Sequence, residues 1–236
     1  MANIVRLQKV TKDYGQGEAL TQALRGVNLI VEAGEFTAMA GPSGSGKSTL
    51  LNIIGGLDRP TSGRVEVDGR EIDTMSNTEL GLLRRERIGF IFQSYNLIPV
   101  LTALENAEYV LMLQGIPTVE RRNRVREVLK EVGLEGLENR YPRQLSGGQQ
   151  QRVAIARAIV SEPALVLADE PTANVDSDTG KSLLDLMRRL NETKGVTFFF
   201  STHEEAVMKR ARRLLQIRDG VIFNDQSNKA GDSSQS

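Results

Sequence analysis

Gly41-Pro42-Ser43-Gly44-Ser45-Gly46-Lys47-Ser48-Thr49 carries more structural information than any other stretch of this chain. It fits the pattern G-x-x-x-x-G-K-[ST] at every fixed position. Before it, Phe36–Ala40 is an apolar run of strand length; after it, Lys47–Ile54 continues as a helix. Strand, glycine turn and helix in that order make a cradle for phosphate. Glycines let backbone N–H groups turn inward without a Cβ clash, and the helix N-terminus adds partial positive charge. Lys47 is placed to reach the β- and γ-phosphates, and the Ser48 hydroxyl to bind Mg²⁺. A plain strand-to-helix turn needs neither residue in register. The stretch reads as a nucleoside triphosphate site.

Outward from it, short apolar runs alternate with helical patterns between Val5 and Phe223, which predicts an α/β protein. Strands are expected at Val27–Val31, Phe36–Ala40, Arg64–Val67, Ile88–Phe92, Leu165–Ala168 and Val196–Ser201. Helices are expected at Lys47–Ile54, Ala103–Leu113, Val119–Val132, Gln149–Val160, Thr179–Lys194 and Glu204–Arg210. Thr118 and Ser177 suit N-caps, Gly133 and Gly195 suit helix ends, and Asp68-Gly69 and Asp219-Gly220 suit hairpin turns. The mostly helical stretch, about 94–161, interrupts strands that otherwise read as one sheet. The polar, Ser-rich end, 226–236, lacks apolar periodicity and is expected to be disordered.

Composition narrows the function. Thirty basic residues balance thirty acidic ones, unlike a protein whose main work is coating nucleic acid. The absence of cysteine excludes disulfides, thiol nucleophiles and zinc–thiolate sites. No apolar run approaches the roughly 18–20 residues of a membrane span, and the start of the chain has no apolar signal core. A soluble chain on the side where it is made is the expectation.

Leu165-Val166-Leu167-Ala168-Asp169-Glu170 is an apolar strand ending in two acids. Asp169 suits Mg²⁺ beside a phosphate loop, and Glu170 suits a general base for an attacking water. Leu145-Ser146-Gly147-Gly148-Gln149 supplies a second glycine turn before a helix, a second anion site that one nucleotide can hardly share with the first within one monomer.

Set between the phosphate loop and the acidic strand end, that pentapeptide resembles the signature motif of ATP-binding cassette (ABC) ATPases. The resemblance spans roughly Val5 to Phe223. The stretches Gly41–Gly56, Phe92–Asn106 and Tyr141–Ala158 look most like the lipoprotein-releasing and macrolide-exporter branch. It implies a phosphate-loop NTPase core with a mixed β-sheet, an N-terminal antiparallel β subdomain and an inserted α-helical subdomain. The whole of 1–225 would form one nucleotide-binding domain. It implies that Tyr14 stacks on adenine and that Gln93 contacts Mg²⁺ and the attacking water. It further implies that His203, the only histidine, senses the γ-phosphate. Ala173-Asn174-Val175-Asp176 falls where the family has its D-loop, with Val175 where Leu is commoner. Two subunits would pair head to tail, each ATP lying between Gly41–Thr49 of one and Ser146–Gln149 of the other. A membrane permease would dock through the region Gln93–Leu104, placing the chain in the cytoplasm on the inner face of the membrane. The expected activity is Mg²⁺-dependent ATP hydrolysis coupled to export or release of a lipoprotein, peptide or drug.

The alternative is a soluble cassette ATPase acting on DNA or the ribosome. DNA-repair cassettes carry long coiled coils between phosphate loop and signature, and the interval Lys47 to Leu145 shows no sustained heptads. Ribosomal factors carry two cassettes, and one phosphate loop is present. A kinase or GTPase would lack the signature, and no N-K-x-D guanine-reading segment occurs. The basic clusters Arg121-Arg122-Arg124-Arg126 and Lys209-Arg210-Arg212-Arg213 read as solvated helix faces. No nucleic-acid partner is expected.

Overall fold

Phe36-Thr37-Ala38-Met39-Ala40 is buried at every position, which requires a strand covered on both faces. The computed structural model, which describes residues 2–15, 17 and 20–227, places it near the middle of a sheet. The elements run β1 (Asn3–Tyr14), β2 (Thr21–Glu32), β3 (Phe36–Ala40), α1 (Lys47–Ile54), β4 (Ser62–Val67), β5 (Arg70–Glu71), α2 (Asn77–Arg87) and β6 (Ile88–Ile91). They continue with α3 (Ala103–Leu113), α4 (Thr118–Glu131), α5 (Gly147–Ile159), β7 (Leu165–Ala168), α6 (Ser177–Lys194), β8 (Thr197–Thr202), α7 (Glu205–Met208), β9 (Arg213–Arg218) and β10 (Val221–Ser227).

Two sheets result. One is antiparallel, in the order β2-β1-β4-β5; the other is mixed, in the order β10-β9-β3-β8-β7-β6. From β9 to β6 every pairing in the second sheet is parallel, and β10 closes the edge antiparallel. Alternation along the strands divides the interior. Phe198 and Phe200 of β8 join Phe36, Val166 and Ile91 in a core roofed by α3 to α6, while Phe199 joins Met39, Leu167 and α1 on the opposite face. The Phe36 and Phe200 rings pack 4.9 Å apart. Each such fully buried side chain contributes roughly 1.5–3 kcal/mol of transfer free energy. The helices α3, α4 and α5 intervene between β6 and β7, which are paired neighbours.

Parallel register sets up the functional end. Ala40 pairs with Thr202, Phe200 with Ala168, and Ala168 with Ile91. The carboxyl ends of β3, β8, β7 and β6 therefore finish side by side, and the loops after them converge.

Some local expectations change. α6 is capped by Asp176, whose carboxylate accepts from the N–H groups of Asp178 and Thr179; Ser177 is already helical. α4 begins at Thr118 behind Pro117, with no side-chain cap. Gly133 and Gly195 adopt positive φ just after α4 and α6, as helix ends favour. α2 was not anticipated, because only Leu80 and Leu83 of its polar sequence are buried; a capping box between Ser76 and Glu79 starts it. α7 is one short turn, shorter than Glu204–Arg210. β10 takes in Gln226 and Ser227, which pair with Leu214 and Arg213, so the expected tail loses its first two residues to the sheet. The rest of that tail, 228–236, lies outside the described residues.

Candidate functional site

Where the parallel strands end, a cleft of about 560 Å³ opens. Ser43, Gly44, Gly46, Lys47, Ser48 and Thr49 line one side, and Gln93, Asp169 and Glu170 line another. Gly41 and Pro42 lie just behind, their carbonyls accepting hydrogen bonds from Lys47 Nζ at 2.7 and 2.9 Å. Ser45 is buried beneath the loop, and its hydroxyl has no protein partner. Two glycines are dictated by contact. A Cβ on Gly41 would lie 2.2 Å from the Ile217 carbonyl oxygen, and one on Gly46, at φ 102°, would lie 2.6 Å from that of Ala23. The loop is thus pressed between β2 and β9, with Ser43, Gly44, Gly46, Lys47 and Ser48 left to line the cleft.

The two acids are tied to β8 by one hydroxyl. Ser201 Oγ donates to Asp169 Oδ1 at 2.5 Å and accepts from the Glu170 N–H at 2.9 Å. Glu170 adopts a left-handed backbone, φ 46°, which swings its carboxylate away from the strand direction. There Oε1 meets His203 Nδ1 at 3.0 Å. A carboxylate accepts, so Nδ1 is the ring nitrogen placed to donate to it. The His203 side chain is 57% exposed and is not among the residues lining the cleft, one of which is its partner Glu170.

Ser146, Gly147, Gly148 and Gln149 do not line this cleft. Ser146 caps α5 in a reciprocal box with Gln149, at 3.3 and 2.9 Å. Its glycines answer to packing: a Cβ on Gly147 would sit 2.8 Å from the Tyr95 hydroxyl, and one on Gly148 would sit 2.5 Å from Thr179 Cγ2. Tyr95 donates to the Asn174 carbonyl at 2.9 Å, and the Asn174 side chain donates to the Gln93 carbonyl at 2.8 Å. Signature turn, Asn174 loop and Gln93 loop are therefore braced together within one chain.

Tyr14 also stands outside the cleft lining. Its hydroxyl donates to Asp58 Oδ2 at 2.7 Å. Burial raises its phenol pKa, and the bond to Asp58 raises it further. Sequence reading missed Thr21, Gln22 and Arg25 of β2 and Asp219 of the β9–β10 turn, all of which line the cleft. That turn is stitched in: Gly220 N–H donates to the Ser45 carbonyl and the Gly220 carbonyl accepts from Arg25 N–H. Asp219-Gly220 was legible as a turn, but nothing local in the sequence places it against the phosphate loop.

Ser48, Asp169 and Gln93 offer a hydroxyl, a carboxylate and an amide, all oxygen donors suited to a hard cation. Among the described residues no cluster of three or more His, Cys, Asp or Glu forms a cage for a metal.

Fold and cleft together define a nucleoside triphosphatase of the phosphate-loop class. Comparison with known proteins is more specific. The family model described as "ABC transporter" matches residues 24–173. An uncharacterized ABC transporter ATP-binding protein of Thermotoga maritima is 49% identical over 222 residues, 94% of each chain. A macrolide export ATP-binding/permease protein MacB of Brucella melitensis is 46% identical over 224 residues, 95% of this chain and 34% of that protein. Among solved structures, the cassette MJ0796, named as an uncharacterized ABC transporter ATP-binding protein of Methanocaldococcus jannaschii, is described as a dimer in a post-hydrolysis state bound to ADP and Pi. It superposes with a TM-score of 0.89 at 46% identity, over 96% of this chain and 100% of that one. The chain belongs to the ABC transporter ATPase family. It is an ATP-binding, ATP-hydrolysing cassette with the mixed sheet, antiparallel N-terminal sheet and helical insert expected of one.

Proposed function

We propose that this cassette works as a head-to-tail homodimer powering a membrane permease of export or release type. The observation that carries the dimer is the division of labour within one chain. Lys47, Ser48, Gln93, Asp169 and Glu170 share a cleft, while the second anion-binding turn, Ser146–Gln149, lies outside it. A two-fold pair would bring the partner's turn over the cleft and neutralise the γ-phosphate from two sides. The solved dimers of MJ0796 support this reading.

In the reaction, Lys47 would exchange its contacts with the Gly41 and Pro42 carbonyls for phosphate oxygens. Glu170 would take a proton from water as that water attacks the γ-phosphorus, giving ADP and phosphate, with His203 holding the carboxylate in place. Tyr14 would carry the adenine. Ser48, Asp169 and Gln93 would hold Mg²⁺, which supplies charge neutralisation at the phosphates when bound.

Among the described residues no helix is long and apolar enough to cross a membrane. A permease would therefore lie outside them, with the cassette on the cytoplasmic face. Within Gln93–Leu104, Leu97 and Leu104 pack into the core, whereas Val100 is 78% exposed. The exposed part of Gln93–Leu104, Val100 foremost, is the surface we assign to it, and a groove of about 350 Å³ lined by Leu57, Arg85, Phe92, Val110 and Leu113 begins at the residue just before that region. The name of MacB, an export protein combining both parts, supports export. The basic clusters are largely internally paired, as in Arg121 with Glu108, Arg124 with Glu120 and Arg210 with Asp185. That leaves little charge for nucleic acid. Affinity copurification from detergent-solubilised membranes should recover an integral membrane protein. Recovery of ribosomes or DNA without one would overturn the transport reading.

A further inference from the structure

β1 ends at Tyr14, and the chain turns away at Gly15 with φ 81°. A tyrosine at a strand end, 42% exposed, has little packing to fix its ring. Here it is fixed from two sides. Its hydroxyl donates to Asp58 Oδ2 at 2.7 Å, with the Thr49 side chain close by. Lys12, two residues earlier on the same face of β1, places Nζ 4.8 Å from the ring centroid.

The same ammonium donates to Asp58 Oδ1 at 2.6 Å and to the Arg59 carbonyl at 2.8 Å. Asp58 Oδ1 also accepts the Arg59 N–H at 2.7 Å. One carboxylate, in the loop after α1, thus gathers Lys12, Tyr14 and its own backbone. Burial works against its ionisation, but the bonds from Lys12 and Tyr14 outweigh that and hold the carboxyl below its usual range. Asp58 is charged and already matched. None of its charge is left over for a ligand.

We infer that Asp58 and Lys12 are positioning residues that pre-set the Tyr14 ring as a platform for the base of ATP. The inference rests on the reading of Tyr14 as the adenine contact. The cation covers one ring face, so a purine has only the other on which to stack. The bond to Asp58 stops rotation about the side chain's own torsions, so stacking does not have to order a mobile ring. Thr49 joins this clamp to the phosphate cradle, because Thr49 lines the cleft.

Kinetics with ATP and binding of inorganic tripolyphosphate, which has no base, test it. Tyr14→Phe keeps the ring and removes the anchor. The KM for ATP should rise about 3- to 10-fold, the loss expected for the typical net contribution of one hydrogen bond at a partly exposed site, while kcat and tripolyphosphate affinity hold. Tyr14→Ala should raise KM further, by roughly 10- to 100-fold, through loss of the stack. Lys12→Met should raise KM as Tyr14→Phe does. Combining Tyr14→Phe with Asp58→Asn should add little to the larger single effect, since both break one unit. A purely architectural brace would instead lower melting temperature and weaken tripolyphosphate and ATP alike. If Tyr14→Ala weakens ATP but Tyr14→Phe and Lys12→Met do not, the clamp is wrong and the platform stands. If Tyr14→Ala leaves ATP affinity unchanged, the platform reading fails and the clamp with it.

Discussion

Two glycine turns in this chain lead into helices, and they are built to opposite ends. The turn before α1 lines a cleft and carries a lysine folded onto the loop's own carbonyls. The turn before α5 is self-capped: Ser146 and Gln149 satisfy each other, and no lysine or arginine occupies its first residues. The first turn's glycines make room for a loop wedged between strands; the second's make room for Tyr95 and Thr179. Glycine content alone does not separate them. The difference is that the first is a complete binding element, whereas the second can only finish a site begun elsewhere. It offers a helix N-terminus without an acid in the first turn, unlike α2 and α3, which carry Glu79 and Glu105 there. An approaching phosphate meets uncompensated positive field at α5 alone of these three.

The comparison breaks first, and hardest, at Lys47. Lys47→Ala removes the cation of the complete element, and ATP turnover should fall by at least about 10²–10³-fold, with much weaker nucleotide binding. Near-normal turnover in a steady-state phosphate-release assay would show that the first turn is not the cradle. Glu170→Gln should cost somewhat less, roughly 10²-fold or more, because it deletes a proton acceptor while leaving the cradle whole. ATP should still bind. Parallel loss of affinity and turnover would make Glu170 a structural or metal-holding residue.

How much of this was legible in advance follows from the same contrast. Asp169 and Glu170 could be singled out because they end an apolar run that makes a buried strand, Lys47 and Ser48 because a glycine pattern fixes their register after another such strand, and Gln93 only through the family resemblance; parallel strands then bring these carboxyl ends together. Val196–Ser201 likewise read as a strand, and every residue of Thr197–Thr202 proves buried. Residues with no periodicity around them stayed hidden. Thr21, Gln22 and Arg25 reach the cleft because β2 passes it, and Asp219 because a distant hairpin leans on the loop. α2 stayed hidden because its cohesion comes from a cap and two leucines. Ser201 looked like a strand end, yet its hydroxyl orients both acids. Pairings across the sheet decide such roles, and a linear pattern does not encode them.

A middle-sized effect sharpens the claim that the second turn completes a partner's site. Glu170→Gln slows decay of the ATP-bound state, so this variant with ATP should run as a dimer in light scattering and as a monomer without nucleotide. Adding Ser146→Arg puts a bulky side chain into the shared space and should return it to monomer with ATP present. A Glu170→Gln protein that stays monomeric at saturating ATP and high protein concentration would refute the composite site.

The smallest effect separates capping from function. Ser76, Thr102 and Ser146 are all N-caps in reciprocal boxes, closing α2, α3 and α5. Truncating such a cap costs typically about 1 kcal/mol, because one helix N–H loses its partner. In a chain of this length that lowers the melting temperature by roughly 2–4 °C. Ser76→Ala and Ser146→Ala should therefore both melt earlier, since each loses a cap bond of 3.3 Å, and Ser76→Ala somewhat more because its hydroxyl also donates to Glu79 at 2.7 Å. Their activities should part company. Ser76 lies far in sequence from every cleft residue and is absent from its lining, so Ser76→Ala should hydrolyse ATP normally at a temperature below the melt. Ser146→Ala should lose several-fold in turnover, because the same hydroxyl that caps α5 would face the partner's γ-phosphate. Equal turnover in the two variants would reduce Ser146 to a cap and leave the second turn without a ligand.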